Sequence, residues 1–362
     1  MPVLVEKFPF EDRGPEFFQS PRDVAPKNFH EDQSKYLDIG LINNMPDAAM
    51  EATARQFLKL LGAAGQGITI RLKLFSMPGI PGSQWRHQHI STHYSDFHRL
   101  WSSHLDGLIV TGTEPRASDL RDEPYWTCLS EIIDWAEENT IATVWSCLAA
   151  HAAVSHLDGI GRSPLAEKCF GLFQHTKEED SRLLAGLPSR ISTPHSRWNE
   201  IPQGALVSAG YRILSKSAEA GVDMFVKERK SLFLFFQGHP EYDTDSLARE
   251  YRRDIGRFLR GERDSYPSLP RGYFDEQTEE LLKTFRTRAL FNRRDELLSE
   301  FPTEHVTVSL FNSWQSQASY TYRNWLNYVL EHKASRTTIA RRLRYADKRQ
   351  LTSRGGVSLG NR

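Results

Sequence analysis

Cysteine is scarce in this chain of 362 residues, which contains only Cys128, Cys147 and Cys169. An odd number of widely separated cysteines does not resemble a disulfide framework, and no two of them have the C-x-x-C spacing of a zinc site. We therefore expect a reducing, cytoplasmic environment and no metal-binding cluster.

The chain also lacks an excess of charge of either sign and any long apolar run. Lys plus Arg and Asp plus Glu number 46 each, so the overall charge does not favour nucleic acid or a membrane surface as a partner. No stretch approaches the ~18 apolar residues of a membrane helix, and the first residues lack the apolar core of a signal peptide. These absences favour a soluble protein that acts on small molecules.

Apolar patterns typical of strands and of helices alternate along the chain. Strand patterns cover residues 36–42, 68–75 and 106–112, and helix patterns cover residues 48–61, with Asp47 as the expected cap, and 125–138. This alternation predicts an α/β fold with a doubly wound, mostly parallel sheet, whose active-site loops lie at the carboxyl ends of the strands.

Composition divides the chain into four expected parts. Residues 1–34 are polar and contain several prolines, which indicates an extended N-terminal arm. Residues 35–275 form the α/β domain. Residues 276–335 have helical patterns and are expected to pack on the core as an extension, and residues 336–362 form a basic tail that we expect to be flexible.

Cys147 lies where an extended pattern gives way to a helical one. Residues 140–145 are mostly β-branched or aromatic, whereas residues 148–154 are mostly small helix formers. A sulfur at such a turn faces the free N–H groups of the first helical turn, which favour a thiolate and can hold an oxyanion. The position alone favours a buried structural cysteine, because most unpaired cysteines are inert.

His239 and Glu241 strengthen the case for a nucleophile. They follow the apolar run at residues 231–236, so His239 is expected at the end of a buried strand. Glu241 is close enough in sequence to accept a hydrogen bond from one imidazole nitrogen while the other faces a sulfur. Cys147, His239 and Glu241 therefore form a candidate catalytic triad.

Taken together, the motifs resemble the homoserine O-succinyltransferase family. The resemblance covers residues 36 to 275 and returns near the C-terminus. Its markers are Leu41-Ile42-Asn43-Asn44-Met45-Pro46, Asp106-Gly107-Leu108-Ile109-Val110-Thr111-Gly112, Tyr125-Trp126, Glu167-Lys168, Pro194-His195-Ser196-Arg197, Gly238-His239-Pro240-Glu241-Tyr242-Asp243, Glu250-Tyr251-Arg252-Arg253-Asp254 and Asn324-Trp325-Leu326-Asn327-Tyr328.

The resemblance implies a flavodoxin-like fold similar to class I glutamine amidotransferases, and a homodimer. It implies that Cys147 is the nucleophile, His239 its general base and Glu241 the group that orients the histidine. The implied reaction moves an acyl group, with succinyl favoured, from acyl-CoA to the hydroxyl of L-homoserine in methionine biosynthesis, through a thioester on Cys147. Acyl-CoA is then a co-substrate, and no metal or bound cofactor is required.

Further residues match the substrate site of the family. Lys168 and Arg253 match positions that contact the amino acid, and a guanidinium suits a carboxylate because it donates to both oxygens. Without the family match, Arg253 could instead form a surface ion pair with Glu250 or Asp254. Ser196 matches a position in the substrate pocket. In the implied mechanism the backbone near Leu148 and Gly112 stabilises the tetrahedral oxyanion.

Arg116 occupies the position at which the family distinguishes acyl donors. The turn reads Thr111-Gly112-Thr113-Glu114-Pro115-Arg116, whereas the family has Thr-Gly-Ala-Pro followed by a selector glycine or glutamate. Arg116 could pair with the distal carboxylate of a succinyl group. It could equally face solvent or pair with Asp119, which leaves the donor open.

Other departures leave alternatives. The segments after Pro46 and after Cys147 differ from the family pattern, so serine or another amino-alcohol could be the acceptor. Acetyl-CoA could be the donor because Arg116 replaces the usual selector residue. A glutamine amidotransferase-like hydrolase is a further alternative, although Trp145 and Ala149 stand where such enzymes usually have glycines. A non-catalytic relative that binds a ligand is the alternative from another class.

Overall fold

The structure is a computed structural model that describes residues 3–6, 18–19, 36–308 and 314–354. Its strands are β1 (Val3–Val5), β2 (Phe18–Gln19), β3 (Tyr36–Ile42), β4 (Thr69–Phe75), β5 (Gly107–Val110), β6 (Ala142–Ser146), β7 (Ser163–Lys177), β8 (Arg190–Glu200), β9 (Arg212–Ser217), β10 (Gly221–Glu228) and β11 (Leu232–Phe236). Its α-helices are α1 (Asp47–Ala64), α2 (Gln84–His93), α3 (Trp126–Asn139), α4 (Leu148–Asp158), α5 (Gln203–Ser208), α6 (Ser246–Leu259), α7 (Glu276–Phe291), α8 (Thr303–Val308) and α9 (Gln315–Arg354). None of the helices in these ranges combines the length and apolar character needed to cross a membrane.

All eleven strands belong to one sheet, in the order β2-β1-β4-β3-β5-β6-β11-β10-β9-β7-β8. Pairing is parallel from β2 to β11 and antiparallel from β11 to β8. The central order β4-β3-β5-β6-β11 is the 2-1-3-4-5 order of flavodoxin-like folds. The predicted doubly wound α/β sheet is therefore confirmed.

The strand order reverses at β3, and this reversal positions the site. The chain passes from β3 to β4 on one side and then to β5 on the other, so the carboxyl ends of β3 and β5 diverge into a crevice. Asn44, after β3, is bound to the end of β5, because its backbone N–H donates to Thr111 Oγ1 at 2.8 Å. Cys147 and His239 follow β6 and β11, the next two strands in the sheet.

Apolar clusters cover both faces of the sheet. On one face α1 and α9 pack on the strands, with Trp325 fully buried among them. On the other face α3 and α4 pack around Trp145. A third cluster joins α6 to α7 and to the segment that carries Trp314. Burial of each large side chain contributes about 1.5–3 kcal/mol, so these clusters hold α4 and α6 firmly beside the crevice.

The observed elements correspond closely to the predicted ones, with one correction at α1. Residues 36–42 form β3 as expected, but Asp47 is the first residue of α1, and Pro46 precedes it as the cap residue. The Asp47 carboxylate accepts the backbone N–H of Ser83 at 2.8 Å instead. Asp47 therefore ties α1 to the start of α2, and the predicted cap is wrong.

The predicted division of the chain stays a prediction. Of the expected arm, the structure describes β1, which pairs in parallel with β4, and β2; residues 1–2, 7–17 and 20–35 lie outside the described residues. The expected boundary at residue 335 falls inside α9, and residues 355–362 of the expected tail also lie outside them.

Candidate active site

Cys147 lies at a sharp turn between β6 and α4. Its φ of 52° and ψ of −115° make it the only residue other than glycine with positive φ in the described parts of the chain. Its backbone N–H donates to Phe236 O at 2.8 Å, which anchors the turn to the end of β11. Such a conformation costs about 1–3 kcal/mol and persists because the neighbouring strands and α4 fix it. The sulfur is thereby held at the crevice and is partly exposed.

His239 lies opposite this turn and is hydrogen-bonded to Glu241. Its Nδ1 is 2.9 Å from Glu241 Oε1, and its backbone N–H donates to Pro194 O at 2.8 Å. Both side chains are buried. With Nδ1 bound to the carboxylate, the other ring nitrogen is free to exchange a proton with a neighbouring group. The fold therefore brings together the three residues predicted from separate stretches of sequence.

The electrostatics of His239 connect it to both partners. Burial lowers its pKa, but the negative charge of the Cys147 thiolate and that of Glu241, together with hydrogen bonds to both, outweigh burial and raise the pKa well above its usual value. This environment favours the protonated form of His239 beside the sulfur of Cys147.

Gly112 and Leu148 meet beside Cys147. A Cβ added to Gly112 would lie 3.0 Å from the Leu148 backbone nitrogen and 2.9 Å from its Cβ. The Leu148 N–H belongs to the first turn of α4 and has no partner within that helix. The two residues thus form a narrow backbone contact of the kind that can hold an oxyanion. Their predicted role in the chemistry stays a prediction.

Lys168 and Ser196 lie together against two carboxylates of α6. Lys168 Nζ is 3.3 Å from Asp254 Oδ2 and 3.7 Å from Glu250 Oε2. Ser196 Oγ donates to Glu250 Oε2 at 2.5 Å. Arg253 completes the cluster, with its Nη2 2.9 Å from Asp254 Oδ1. The three substrate residues expected from the family motif are therefore neighbours.

Tyr242 connects this cluster to His239. Its ring stacks on His239 with centroids 4.3 Å apart, and its hydroxyl donates to Glu250 Oε1 at 2.5 Å. Sequence reasoning assigned no role to Tyr242 or Glu250. Both residues lie inside motifs on which the family resemblance rests, and those motifs are the sequence signal that points to them.

Arg116, the residue expected to distinguish acyl donors, lies on the loop that follows Gly112. Its side chain is exposed, and its backbone N–H donates to Glu123 Oε1 at 2.5 Å. Asp119, the alternative partner named for it, binds Arg121 instead, with 2.6 Å between Arg121 Nη2 and Asp119 Oδ2. The buried Glu123 carboxylate also accepts the Ala117 N–H at 2.7 Å, so it fixes the loop that carries Arg116.

Three buried residues near His239 bring possible metal-ligand atoms within 4.8 Å of one another: His175, His195 and Asp223. The spacing of these residues in the sequence did not predict the group, because its members lie on three different strands, β7, β8 and β10. The two histidines of this group are already engaged in hydrogen bonds. Arg197 Nε donates to His195 Nδ1 at 3.3 Å, which leaves the proton of a neutral imidazole on Nε2, 3.2 Å from His175 Nε2. Burial, His175 and Arg197 all lower the pKa of His195 well below its usual value, so the neutral form is favoured.

Comparison with known proteins identifies the family. The model of the family described as homoserine O-succinyltransferase matches residues 24–336. A homoserine O-succinyltransferase from Rhodopseudomonas palustris is 46% identical over 293 residues, which is 81% of this chain and 88% of the relative. One from Bradyrhizobium japonicum is 48% identical over 296 residues, or 82% of this chain and 90% of the relative.

Among solved structures, a glutamine amidotransferase from Methylobacillus flagellatus aligns with a TM-score of 0.46 at 16% identity, covering 81% of this chain and 95% of that one. The order of strands in the sheet, rather than this likeness, defines the fold. The family match extends over strands β3 to β11 and over both halves of the site. The chain therefore belongs to the homoserine O-succinyltransferase family, as its motifs predicted.

Proposed function

We propose that this enzyme transfers a succinyl group from succinyl-CoA to the hydroxyl of L-homoserine, through a thioester on Cys147, in methionine biosynthesis. The observation that carries the proposal is the strained turn at Cys147, which faces a buried His239–Glu241 pair. Membership of a transferase family and the names of its curated relatives support the acyl group and the acceptor.

In the first half of the reaction the Cys147 thiolate attacks the carbonyl carbon of the thioester. The carbonyl oxygen becomes an oxyanion, which the backbone N–H of Leu148 beside Gly112 stabilises. When the intermediate collapses, the bond from the carbonyl carbon to the coenzyme A sulfur breaks, and the imidazolium of His239 gives its proton to that sulfur. Free coenzyme A leaves, and Cys147 carries the succinyl group.

In the second half the hydroxyl oxygen of homoserine attacks the same carbon. The neutral His239 removes the hydroxyl proton, and the carbon–sulfur bond to Cys147 then breaks. The products are O-succinylhomoserine and the restored thiolate–imidazolium pair. Glu241 stabilises the imidazolium that exists before the first proton transfer and again after the second, because its carboxylate lies 2.9 Å from Nδ1.

The cluster on α6 suits the two charged groups of the acceptor. Arg253 is half-exposed, so its guanidinium has donors available for the amino-acid carboxylate. Glu250 offers a negative charge for the ammonium group and is connected to His239 through Tyr242. Lys168 and Ser196 hold the Glu250 carboxylate in place.

Succinyl-CoA is favoured over acetyl-CoA because Arg116 is exposed on the loop beyond Gly112, where its cation can meet a distal carboxylate. Steady-state assays of acetyl-, succinyl- and glutaryl-CoA against homoserine and serine, with wild type and Arg116→Gly, test the assignment. We expect a selective loss with succinyl-CoA in the variant. Equal effects on all three donors would show that Arg116 does not take part in donor recognition.

Intact-protein mass spectrometry tests the thioester itself. After mixing with succinyl-CoA, we expect one succinyl mass on the wild-type chain and on Cys128→Ser and Cys169→Ser, but none on Cys147→Ala. Addition of homoserine should discharge the adduct. Glutaminase activity without any adduct would instead support the amidotransferase-like hydrolase. The expected homodimer is checked separately by light scattering.

A further inference from the structure

A cavity of about 250 Å³ lies along α6 and is lined mainly by arginines. Its lining residues are Arg249, Arg252, Arg253, Gly256, Arg260 and Leu298. Arg252 and Arg253 lie three and four residues after Arg249 on α6, and Arg260 follows the last residue of the helix, seven residues after Arg253, so these side chains share one side of α6. Guanidinium groups that converge on one cavity suit a ligand with several anionic oxygens, since each presents a planar set of N–H donors.

The carboxylates beside these arginines leave the cavity accessible to an anion. Arg249 Nη2 lies 3.2 Å from Asp245, and Arg260 Nε lies 2.6 Å from Glu262, but the side chains in both pairs are 40–50% exposed. Ion pairs this exposed contribute about 0–1 kcal/mol, so a phosphate with more than one charge can displace them. Arg252 lies over the ring of Phe301, with its guanidinium carbon 6.0 Å from the centroid.

The floor of the cavity is Gly256, in the interior of α6. A Cβ there would lie 3.1 Å from Arg260 Nη1 and 3.1 Å from Leu298 Cδ2. Glycine within a helix costs about 1 kcal/mol relative to alanine. At this position it leaves room for the Arg260 guanidinium to lie against the helix, within the cavity wall.

The cavity is continuous with the proposed acceptor site. Arg253 lines the cavity and also belongs to the cluster of Lys168 and Glu250. One turn further along α6, Arg257 Nη1 lies 3.3 Å from Glu114 Oε1, on the loop that follows Gly112. Arg253 and Arg257 therefore place this part of α6 beside the acceptor cluster and beside the loop that follows Gly112.

We propose that this cavity binds the phosphate groups of the acyl donor, at the nucleotide end of a coenzyme A thioester. The inference rests on the proposed function for the identity of the donor. With the thioester carbon at Cys147, the pantetheine arm must carry the phosphates away from the reacting carbon, and the cavity that shares Arg253 with the acceptor cluster offers cationic groups for them. Phosphate oxygens accept paired N–H bonds from Arg249, Arg252 and Arg260, while Arg253 remains with the acceptor.

The test compares two donors that differ only in the nucleotide end. Succinyl-CoA and the succinyl thioester of N-acetylcysteamine present the same reacting carbon, but the second has no phosphate. We expect Arg249→Gln with Arg252→Gln to reduce the wild-type preference for succinyl-CoA, as a ratio of kcat/KM values, by about tenfold or more, because charge-assisted bonds are lost. The matched control is Arg288→Gln on α7, outside the cavity, which should leave the ratio as in wild type.

Direct binding separates this proposal from the proposed function. Isothermal titration with adenosine 3′,5′-bisphosphate should show saturable binding to wild type that weakens with salt and is lost in the double variant. An unchanged donor ratio, or equal binding of inorganic phosphate and the bisphosphate, would overturn the proposal. If wild type transfers succinyl from neither thioester, the proposed function fails, and the bisphosphate titration still decides whether the cavity binds a nucleotide.

Discussion

The backbone N–H of Gly238, the residue before His239, donates a hydrogen bond of 2.9 Å to Asp223 Oδ1. The other carboxylate oxygen of Asp223 accepts the Thr193 hydroxyl at 3.0 Å, and its backbone oxygen accepts the N–H of Gln237. Asp223 is buried, and Gly238 has no room for a side chain beside it. Asp223 on β10 thus fixes the backbone that carries His239.

We expect Asp223→Ala to misplace His239, because the buried Gly238 N–H loses its acceptor. The lost bond should cost about 1–3 kcal/mol in free energy of unfolding, and kcat should fall with little change in KM for homoserine. Asp223→Asn keeps an acceptor oxygen for Gly238 and should recover most of kcat. A purely structural role would give both variants the same kcat per folded molecule, measured by urea unfolding alongside steady-state rates.

Because the turn at Cys147 is strained, replacing the cysteine with glycine should abolish activity but relieve the strain in the fold. Glycine adopts a φ of 52° without the steric cost that any side chain incurs. Cys147→Gly and Cys147→Ala both remove the thiol, so they should both be inactive. The glycine variant should nevertheless have the larger free energy of unfolding, by about 1 kcal/mol or more. Equal unfolding energies in denaturant titrations would show that the turn is not strained.

Glu241→Gln tests how the carboxylate acts on His239. Removal of the negative charge should bring the pKa of His239 down towards its ordinary value, because Glu241 helps to raise it. NMR titration of the imidazole should therefore give a midpoint at lower pH than in wild type. We expect the rate of succinyl transfer to fall by about 10² or more, as for the loss of other groups that assist acid–base catalysis.

The same substitution has a predictable effect on stability. A pKa raised on folding stabilises the protein most below the unfolded-state value of about 6.5, and the stabilisation is lost as pH rises through the folded-state pKa. The difference in free energy of unfolding between wild type and Glu241→Gln should therefore be largest at about pH 5–6.5 and should decrease at higher pH. A difference that grew with pH would contradict the raised pKa of His239.

The sequence predicted the central strands and the triad because both depend on local patterns. Residues 36–42 repeat apolar side chains at strand spacing, and Cys147 marks a change from extended to helical propensity, so neither needed tertiary information. The contacts of Asp223 and Glu123 could not be predicted in this way. Each joins a side chain to backbone N–H groups of another segment, and no local pattern encodes such a pairing. The arginines of α6 were visible in sequence, but not the cavity between them.

Gly112→Ala tests the narrow contact beside the nucleophile. The new methyl group would lie 2.9 Å from the Leu148 Cβ and 3.0 Å from its backbone nitrogen, so the Leu148 N–H must move away from the oxyanion position. Loss of one oxyanion donor costs about 10²–10³ in kcat, and we expect a loss of this size. Gly161→Ala is the matched control for the addition of a methyl group, because nothing lies within 4 Å of the added Cβ and the residue does not have a positive φ. Only Gly112→Ala should slow formation of the succinyl adduct in rapid-quench mass spectrometry. Adduct formation at the wild-type rate in Gly112→Ala would place the oxyanion elsewhere.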